Sequence, residues 1–311
     1  MQRLLSTTIL VGLLVATAGA FAITERLKLT KSPIYGTLVY PKSGFSPTCG
    51  CARGRVSVSI KLRRADTVTV RLFDSRKRPV RTLVEGVEAK RGPNRFRWDG
   101  RTDGNVLARD GIYQAEIHLA RQHQTILLPN KIQLDTKPPE IRNASPNREA
   151  FSPDGDKQAD FVRITYELSK PAHVQLYLDG TRVLNTYRHP AHGSVSWNGQ
   201  AHGVTLPPGT YELELGARDL AGNSTPVGSR WRFRVEIRYI KLAARRIVVP
   251  AGGTFEIGVA TDAKRYAWKL GGRKGFATSP VLRLRASQRA GRYTLTVGEL
   301  GHVSRAAVIV R

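Results

Sequence analysis

The chain is poor in the residues that most reaction chemistries need. Its 311 residues include two Cys, one Met and seven scattered His. Two Cys exclude a disulfide-dense scaffold, and no HExxH spacing points to a zinc enzyme. There is no nucleophile elbow, P-loop or dinucleotide glycine motif, and Gly271-Gly272-Arg273-Lys274-Gly275 has no Walker spacing. Negative charge is also scarce: 24 Asp and Glu stand against 50 Lys and Arg, a formal net charge of +26. After residue 23 no apolar stripe recurs at the helical period. These absences argue against an enzyme and against helical domains. Hydrophobic residues, at 41%, are still plentiful enough for packed cores.

The one long uncharged run is Leu4 to Ile23, 20 residues that as a helix span roughly 30 Å, the hydrocarbon thickness of a bilayer. Residues 1–23 read as a membrane anchor or as a signal peptide cleaved at Ala20-Phe21-Ala22. Arg26 and Lys28 close behind, and the length of the run, favour the anchor. Either reading places the remainder outside the cytoplasm. Cys49 and Cys51 lie too far from the run for lipoprotein acylation.

The chain repeats itself. Phe45-Ser46-Pro47 recurs as Phe151-Ser152-Pro153, and at the same offset of 106 Val56, Val58, Ile60 and Leu62 fall on Val162, Ile164, Tyr166 and Leu168. Trp98-Asp99-Gly100 returns as Trp197-Asn198-Gly199, and Gly111-Ile112-Tyr113 as Gly209-Thr210-Tyr211. The apolar period within these blocks is two, the signature of half-buried strands. The expectation is an all-β chain of tandem immunoglobulin-like β-sandwiches behind one N-terminal hydrophobic helix. A linker occupies 24–44, one module 45–138 and a second 139–238, with Pro138-Pro139 between them. A smaller third module spans 245–311, where Gly291-Arg292-Tyr293 echoes the repeat and Trp268 is placed in the core.

Val70 to Leu83, followed by Trp98-Asp99-Gly100, Asp103-Gly104 and Gly111-Ile112-Tyr113, resembles the immunoglobulin-like domain of the flagellar hook-capping protein family. Asp219-Leu220-Ala221-Gly222-Asn223 is similar to a turn of bacterial immunoglobulin-like repeats. The resemblance implies a sandwich fold shared by many extracytoplasmic bacterial proteins. The hook-assembly role is not carried over, because true hook-capping proteins lack an N-terminal apolar export segment.

Two loops at one address carry the candidate chemistry. Asp154, Asp156, Gln158 and Asp160 alternate in a tight loop, the oxygen spacing a hard cation such as Ca²⁺ requires. The bland alternative is a turn whose carboxylates cap local N–H groups. The offset of 106 puts Cys49-Gly50-Cys51 at the same place in the first module. A bond between Cys49 and Cys51 is borderline in an extended strand and easier if Gly50 turns. Intermolecular pairing, free thiols and metal binding are the other readings.

Basic charge is uneven: 24–138 is net +13, 139–236 is neutral and 237–311 is net +12. The charge is either a solvated basic surface or a site for polyanions, with Arg76, Lys77, Arg78 and Arg81 the candidate cluster. No recognition motif accompanies it, so no dedicated nucleic-acid partner is expected. The expected function is a non-enzymatic, membrane-anchored scaffold or adhesion protein. Its partners would be cell-wall polymer, anionic surface polysaccharide or another surface protein. The alternatives are a calcium-dependent carbohydrate or wall-polymer binding module, and an accessory part of a surface enzyme.

Overall fold

The computed structural model describes residues 11–21 and 31–311. Residues 11–21 are helical, and no helix among the described residues is long and apolar enough to cross a membrane. The rest of the expected 1–23 segment, including Ala22 of the cleavage motif, and the Arg26 and Lys28 flank lie outside the described residues. The chain divides after Thr136 into two compact units.

The first unit is one β-sandwich. A three-stranded sheet joins Ile34–Tyr40, Val56–Leu62 and Gly92–Trp98. A four-stranded sheet orders Pro79–Ala89, Asp66–Asp74, Gly111–Leu119 and Gln124–Leu134. Alternation decides the faces: Val56, Val58, Ile60 and Leu62 are buried between the sheets, and Ser57, Ser59 and Lys61 face out.

The second unit holds two further sandwiches with separate cores. The second module pairs a sheet of Ile141–Pro146, Val162–Leu168 and His192–Trp197 with a five-stranded sheet. That larger sheet runs Thr181–Asn185, Ala172–Leu178, Gly209–Asp219, Trp231–Ile237 and Ala150–Phe151. The third module repeats the plan, with three strands from Ile240–Leu242, Thr254–Thr261 and Val281–Arg285 and five strands opposite.

The repeat holds to the register. Trp98 sits across from Val56 and Trp197 across from Val162, and each is buried. Trp98 Nε1 donates to the Arg101 carbonyl at 2.7 Å, and Trp197 Nε1 to the Gln200 carbonyl at 2.9 Å. The Gly-x-Tyr hydroxyls each donate four residues back: Tyr113 to Arg109 at 2.5 Å, Tyr211 to Pro207 at 2.7 Å, Tyr293 to Arg289 at 3.0 Å. This is the tyrosine-corner device of sandwich folds, and it identifies the third module as a copy. Gly100 and Gly199 follow the two Trp residues with φ of +79° and +74°. A Cβ on Gly100 would meet Pro47 Cγ at 2.1 Å, so the turn needs glycine for both conformation and space.

Three expectations need correction. The 24–44 linker contains Ile34–Tyr40, a strand of the first sandwich, with Ile34 and Val39 in its core. Its strict alternation is broken by an irregularity between Ile34 and Gly36, which hides the pattern. The third module begins at Ile240 rather than 245, and its two sheets make it a full sandwich. Trp268 lies in Tyr266–Leu270 of the larger sheet, half-buried against Gly275, and is not the counterpart of Trp98.

Candidate metal centre at the junction of the second and third modules

The two expected loops do share one address. Phe45 and Phe151 each make a parallel bridge to the last strand of their module, to Leu134 and Ile237. Just after them, the Ser46 N–H donates to the Arg53 carbonyl and the Ser152 N–H to the Ala159 carbonyl, both at 3.1 Å. The same loop frame thus carries cysteines in one module and carboxylates in the other.

In the second module the carboxylates do two jobs. Asp160 caps the loop: its oxygens accept the N–H groups of Gly155 at 2.8 Å and Lys157 at 2.9 Å. Asp156 Oδ1 accepts from the Gln158 N–H at 2.6 Å, and Asp154 Oδ1 from the Asp156 N–H at 3.2 Å. So the turn-capping reading is right for four of the six Asp oxygens of the loop. The carboxylates also converge. Single oxygens of Asp154, Asp156 and Asp160 lie within 4.8 Å of one another, and the same holds for Asp154, Asp262 and Glu299. Gln158 lines the hollow beside them.

Asp262 and Glu299 come from the third module and were not foreseen. Residues 237–311 contain three carboxylates among 15 basic residues, and two of the three stand here. The third, Glu256, pairs with Arg283. That concentration is the signal the sequence offered. The Ser152 hydroxyl donates to Asp262 Oδ2, and Thr261 Oγ1 donates to Glu299 Oε2 at 2.7 Å. Asp154 Oδ2 and Asp262 Oδ1 are buried with no hydrogen-bond partner.

Burial raises the carboxyl pKa values of Asp154, Asp262 and Glu299, and the neighbouring carboxylates push each of them further up. Buried, unpartnered carboxylate oxygens facing like charges are costly when ionised. A proton relieves one of them; a hard cation relieves all. Asp154 belongs to two oxygen triads, one within its own loop and one with the third module. Carboxylate oxygens so gathered are the donors Ca²⁺ takes, with water and carbonyls completing six to eight ligands. The residues therefore fit the ion. A hollow of about 450 Å³ adjoins them, lined by Asp156, Gln158, Arg265, Phe276, Glu299 and Leu300. Phe276 is 65% exposed, with the Arg265 guanidinium over its ring at 4.4 Å.

In the first module Cys49 and Cys51 form an intrachain disulfide with Cα atoms 5.2 Å apart. Gly50 turns through φ +59°, which brings the two Cα atoms below the extended-strand span. So small a ring constrains the unfolded chain little. Replacing both cysteines with serine is expected to cost the first unit no more than about 1.6 kcal/mol in a urea titration. A loss above about 3 kcal/mol would mean that the loop is held by more than chain entropy.

The expected polyanion cluster is partly spoken for. Arg78 pairs with Asp74 at 2.7 Å, and Arg81 donates to the Thr102 carbonyl at 2.8 Å and lies 3.8 Å from Asp103. The hydrogen bonds from the Arg78 backbone and side chain hold the Asp74 carboxyl below its usual range. Arg76 and Lys77 are exposed in the turn, with no ionic partner among the described residues.

Residues 47–122 match the family model described as the FlgD Ig-like domain. A search of curated proteins found no match. Among solved structures the chain is similar to the titin domains I67–I69, at 12% identity, 83% of this chain, 91% of that one and a TM-score of 0.28. It is similar to a bacterial ice-binding adhesin at 13% identity, with 90% and 99% covered and a TM-score of 0.26. It is also similar to the Bacteroides ovatus mixed-linkage glucan protein SGBP-B at 15% identity, with 82% of this chain and 63% of that one covered and a TM-score of 0.23.

Proposed function

We propose that the chain is a non-enzymatic, extracytoplasmic scaffold or adhesion protein, carried to the surface by its N-terminal segment, in which Ca²⁺ fixes the second module to the third. The observation that carries this reading is the place of Asp154, which joins the loop triad with Asp156 and Asp160 to a second triad with Asp262 and Glu299 across a module junction. Carboxylates gathered at a joint, rather than inside one module, suit holding two sandwiches in a set geometry. Tyr239 and His302 stack at 3.5 Å at the same joint and add an apolar contact. Modules held in line present their outer faces to surface polymers or other surface proteins.

The test is thermal melting of the full chain in 1 mM Ca²⁺ and in chelator. An ion that binds only the folded state adds about 2.7 kcal/mol at 100-fold saturation, and the Asp262→Asn, Glu299→Gln double variant should lose that gain. Identical melting of the wild-type protein in Ca²⁺ and in chelator would sink the calcium joint. Location is tested separately, by whether a C-terminal reporter is reached by a membrane-impermeant label.

Phe276 favours a second reading. An exposed aromatic beside an oxygen-rich hollow is how a module stacks a sugar next to a cation. If the hollow binds glycan, Phe276→Ala abolishes Ca²⁺-dependent glycan retention and leaves the Ca²⁺-dependent melting shift intact. If it serves the joint alone, neither changes.

A further inference from the structure

The outer face of the three-stranded sheet in the first module is cationic, with no carboxylate on its strands, Ile34–Tyr40, Val56–Leu62 and Gly92–Trp98. Register aligns three rows across it. Tyr40, Ser57 and Arg97 form one; Leu38, Ser59 and Arg95 the next; Gly36, Lys61 and Pro93 the third. The middle strand is low, with serine hydroxyls for a floor. Arg95 and Arg97 stand along one side, at the strand repeat of roughly 6.6–6.8 Å. Leu38 and Tyr40, 43% and 69% exposed, stand along the other. Lys61 closes the end, its stem lying over Gly36, where a Cβ would meet Lys61 Cδ at 3.2 Å. The part of the face lined by Gly36, Leu38, Ser59, Lys61, Pro93 and Arg95 forms a hollow of about 520 Å³, and Tyr40, Ser57 and Arg97 continue the face beyond it.

Lys61, Arg95 and Arg97 have no ionic partner among the described residues, while on the opposite sheet of the same module two arginines are paired. There Arg71 meets Glu85 at 3.2 Å and Arg121 meets Glu88 at 2.8 Å.

The second module is an internal control. At the same register it places Ser194 and Ser196 where the first has Arg95 and Arg97, Arg163 for Ser57, Thr165 for Ser59 and Glu167 for Lys61. Glu167 pairs with Arg142 at 3.4 Å, and Ser145 replaces the apolar wall at Leu38. The same fold therefore builds this face with one unpaired cation, Arg163, in one copy and with three beside an apolar wall in the other.

The geometry points to a binding groove for a linear acidic polysaccharide on this face. Arg95, Arg97 and Lys61 take its carboxylates, Ser57 and Ser59 its hydroxyls, and Leu38 and Tyr40 the apolar edge of its sugar rings. Arginine's fixed donor fork matches a carboxylate in two hydrogen bonds. Hydroxyl floor and apolar wall suit sugar, whereas single-stranded nucleic acid calls for a series of stacking aromatics. The inference rests on the surface-protein reading above and names a site for it.

The experiment titrates the full chain with four probes at two salt concentrations: alginate oligomers, the same oligomers with their carboxyls reduced, inorganic polyphosphate and an oligo-dT strand. Alginate should bind tightest, and its reduced form at least tenfold more weakly. Arg95→Ser with Arg97→Ser, the residues of the second module, should weaken alginate at least tenfold and flatten the salt dependence. Arg76→Ser with Lys77→Ser should change it less than twofold. Tyr40→Ser should weaken alginate and leave polyphosphate unchanged, because only the sugar touches the apolar wall. All three variants alter exposed side chains, and an unchanged melting temperature shows that they are folded. Alginate affinity unmoved by the Arg95 and Arg97 changes, or moved equally by Arg76 and Lys77, overturns the groove and leaves the surface reading standing. Oligo-dT or polyphosphate binding as tightly as alginate overturns the polysaccharide. No affinity of the wild-type chain for any probe overturns the groove and, with it, attachment to anionic polymers.

Discussion

Replacing Trp98 with alanine is expected to destabilise the first unit by about 3–5 kcal/mol. The side chain is 1% exposed, and its ring lies 5.4 Å from Phe45 and 4.9 Å from Tyr113, centroid to centroid. Removing it leaves a void between two sheets that cannot collapse, because strand register fixes their spacing. Domains are stable by about 5–15 kcal/mol in all, so this loss is a large fraction of the total. Trp98→Phe keeps the packing but forfeits the hydrogen bond to Arg101, at about 1 kcal/mol. Trp197→Ala should act in the second module in the same way, though Tyr211 stands farther off at 6.4 Å. Trp231→Ala is the control: its side chain is 37% exposed, and the change should stay within about 1 kcal/mol. Urea unfolding followed by tyrosine fluorescence reads all four. A Trp98→Ala protein within 1 kcal/mol of wild type would remove the ring from its place at the centre of the core.

Why the sandwiches were legible and the junction was not follows from the range of the forces involved. Alternation is local, so Val56 to Leu62 announces its buried face within seven residues. The repeat supplied the rest, because Trp98 and Trp197 share a register that no single module would reveal. Ile34–Tyr40 escaped because its alternation breaks at Gly36, where the stem of Lys61 needs the missing side chain. The acidic loop was visible as far as Asp160 and no further. Asp262 and Glu299 are more than 100 residues from Asp154, and only their scarcity among the basic residues of the third module marks them. Only the placement of one module on the next joins them. The cationic face shows the same limit. Arg95 and Arg97 are ordinary strand residues until register sets them beside Ser57 and Ser59. The cluster that stood out in the sequence, Arg76 to Arg81, is compact because it is a turn, and Asp74 and Asp103 take up half of it.

In chelator the second unit is expected to grow more stable as the pH falls from neutral toward the ordinary carboxylate pKa of about 4, and in saturating calcium to grow less stable. The folded protein raises the pKa values of Asp154, Asp262 and Glu299 above those of the unfolded chain, chiefly by burial. Over the interval between the two sets of values the native state binds more protons than the unfolded one. Stability therefore rises on acidification through the folded pKa values, and the gain is complete below the ordinary carboxylate pKa of about 4. Calcium inverts the balance. The ion binds ionised carboxylates, so its contribution is present at neutral pH and is lost as protons compete for the same oxygens. Contributions of all other groups are removed by difference, because the Asp262→Asn, Glu299→Gln protein keeps them, and both changes preserve side-chain shape. The quantity to plot is the stability of wild type minus that of the double variant, against pH, with and without the ion. The two curves should slope in opposite directions as the pH falls from neutral toward the ordinary carboxylate pKa of about 4. Curves of the same sign would show that calcium does not reach these carboxylates, and flat curves in both conditions that burial does not perturb them. Only opposed slopes agree with oxygens that must hold either protons or a cation to stay buried at the joint.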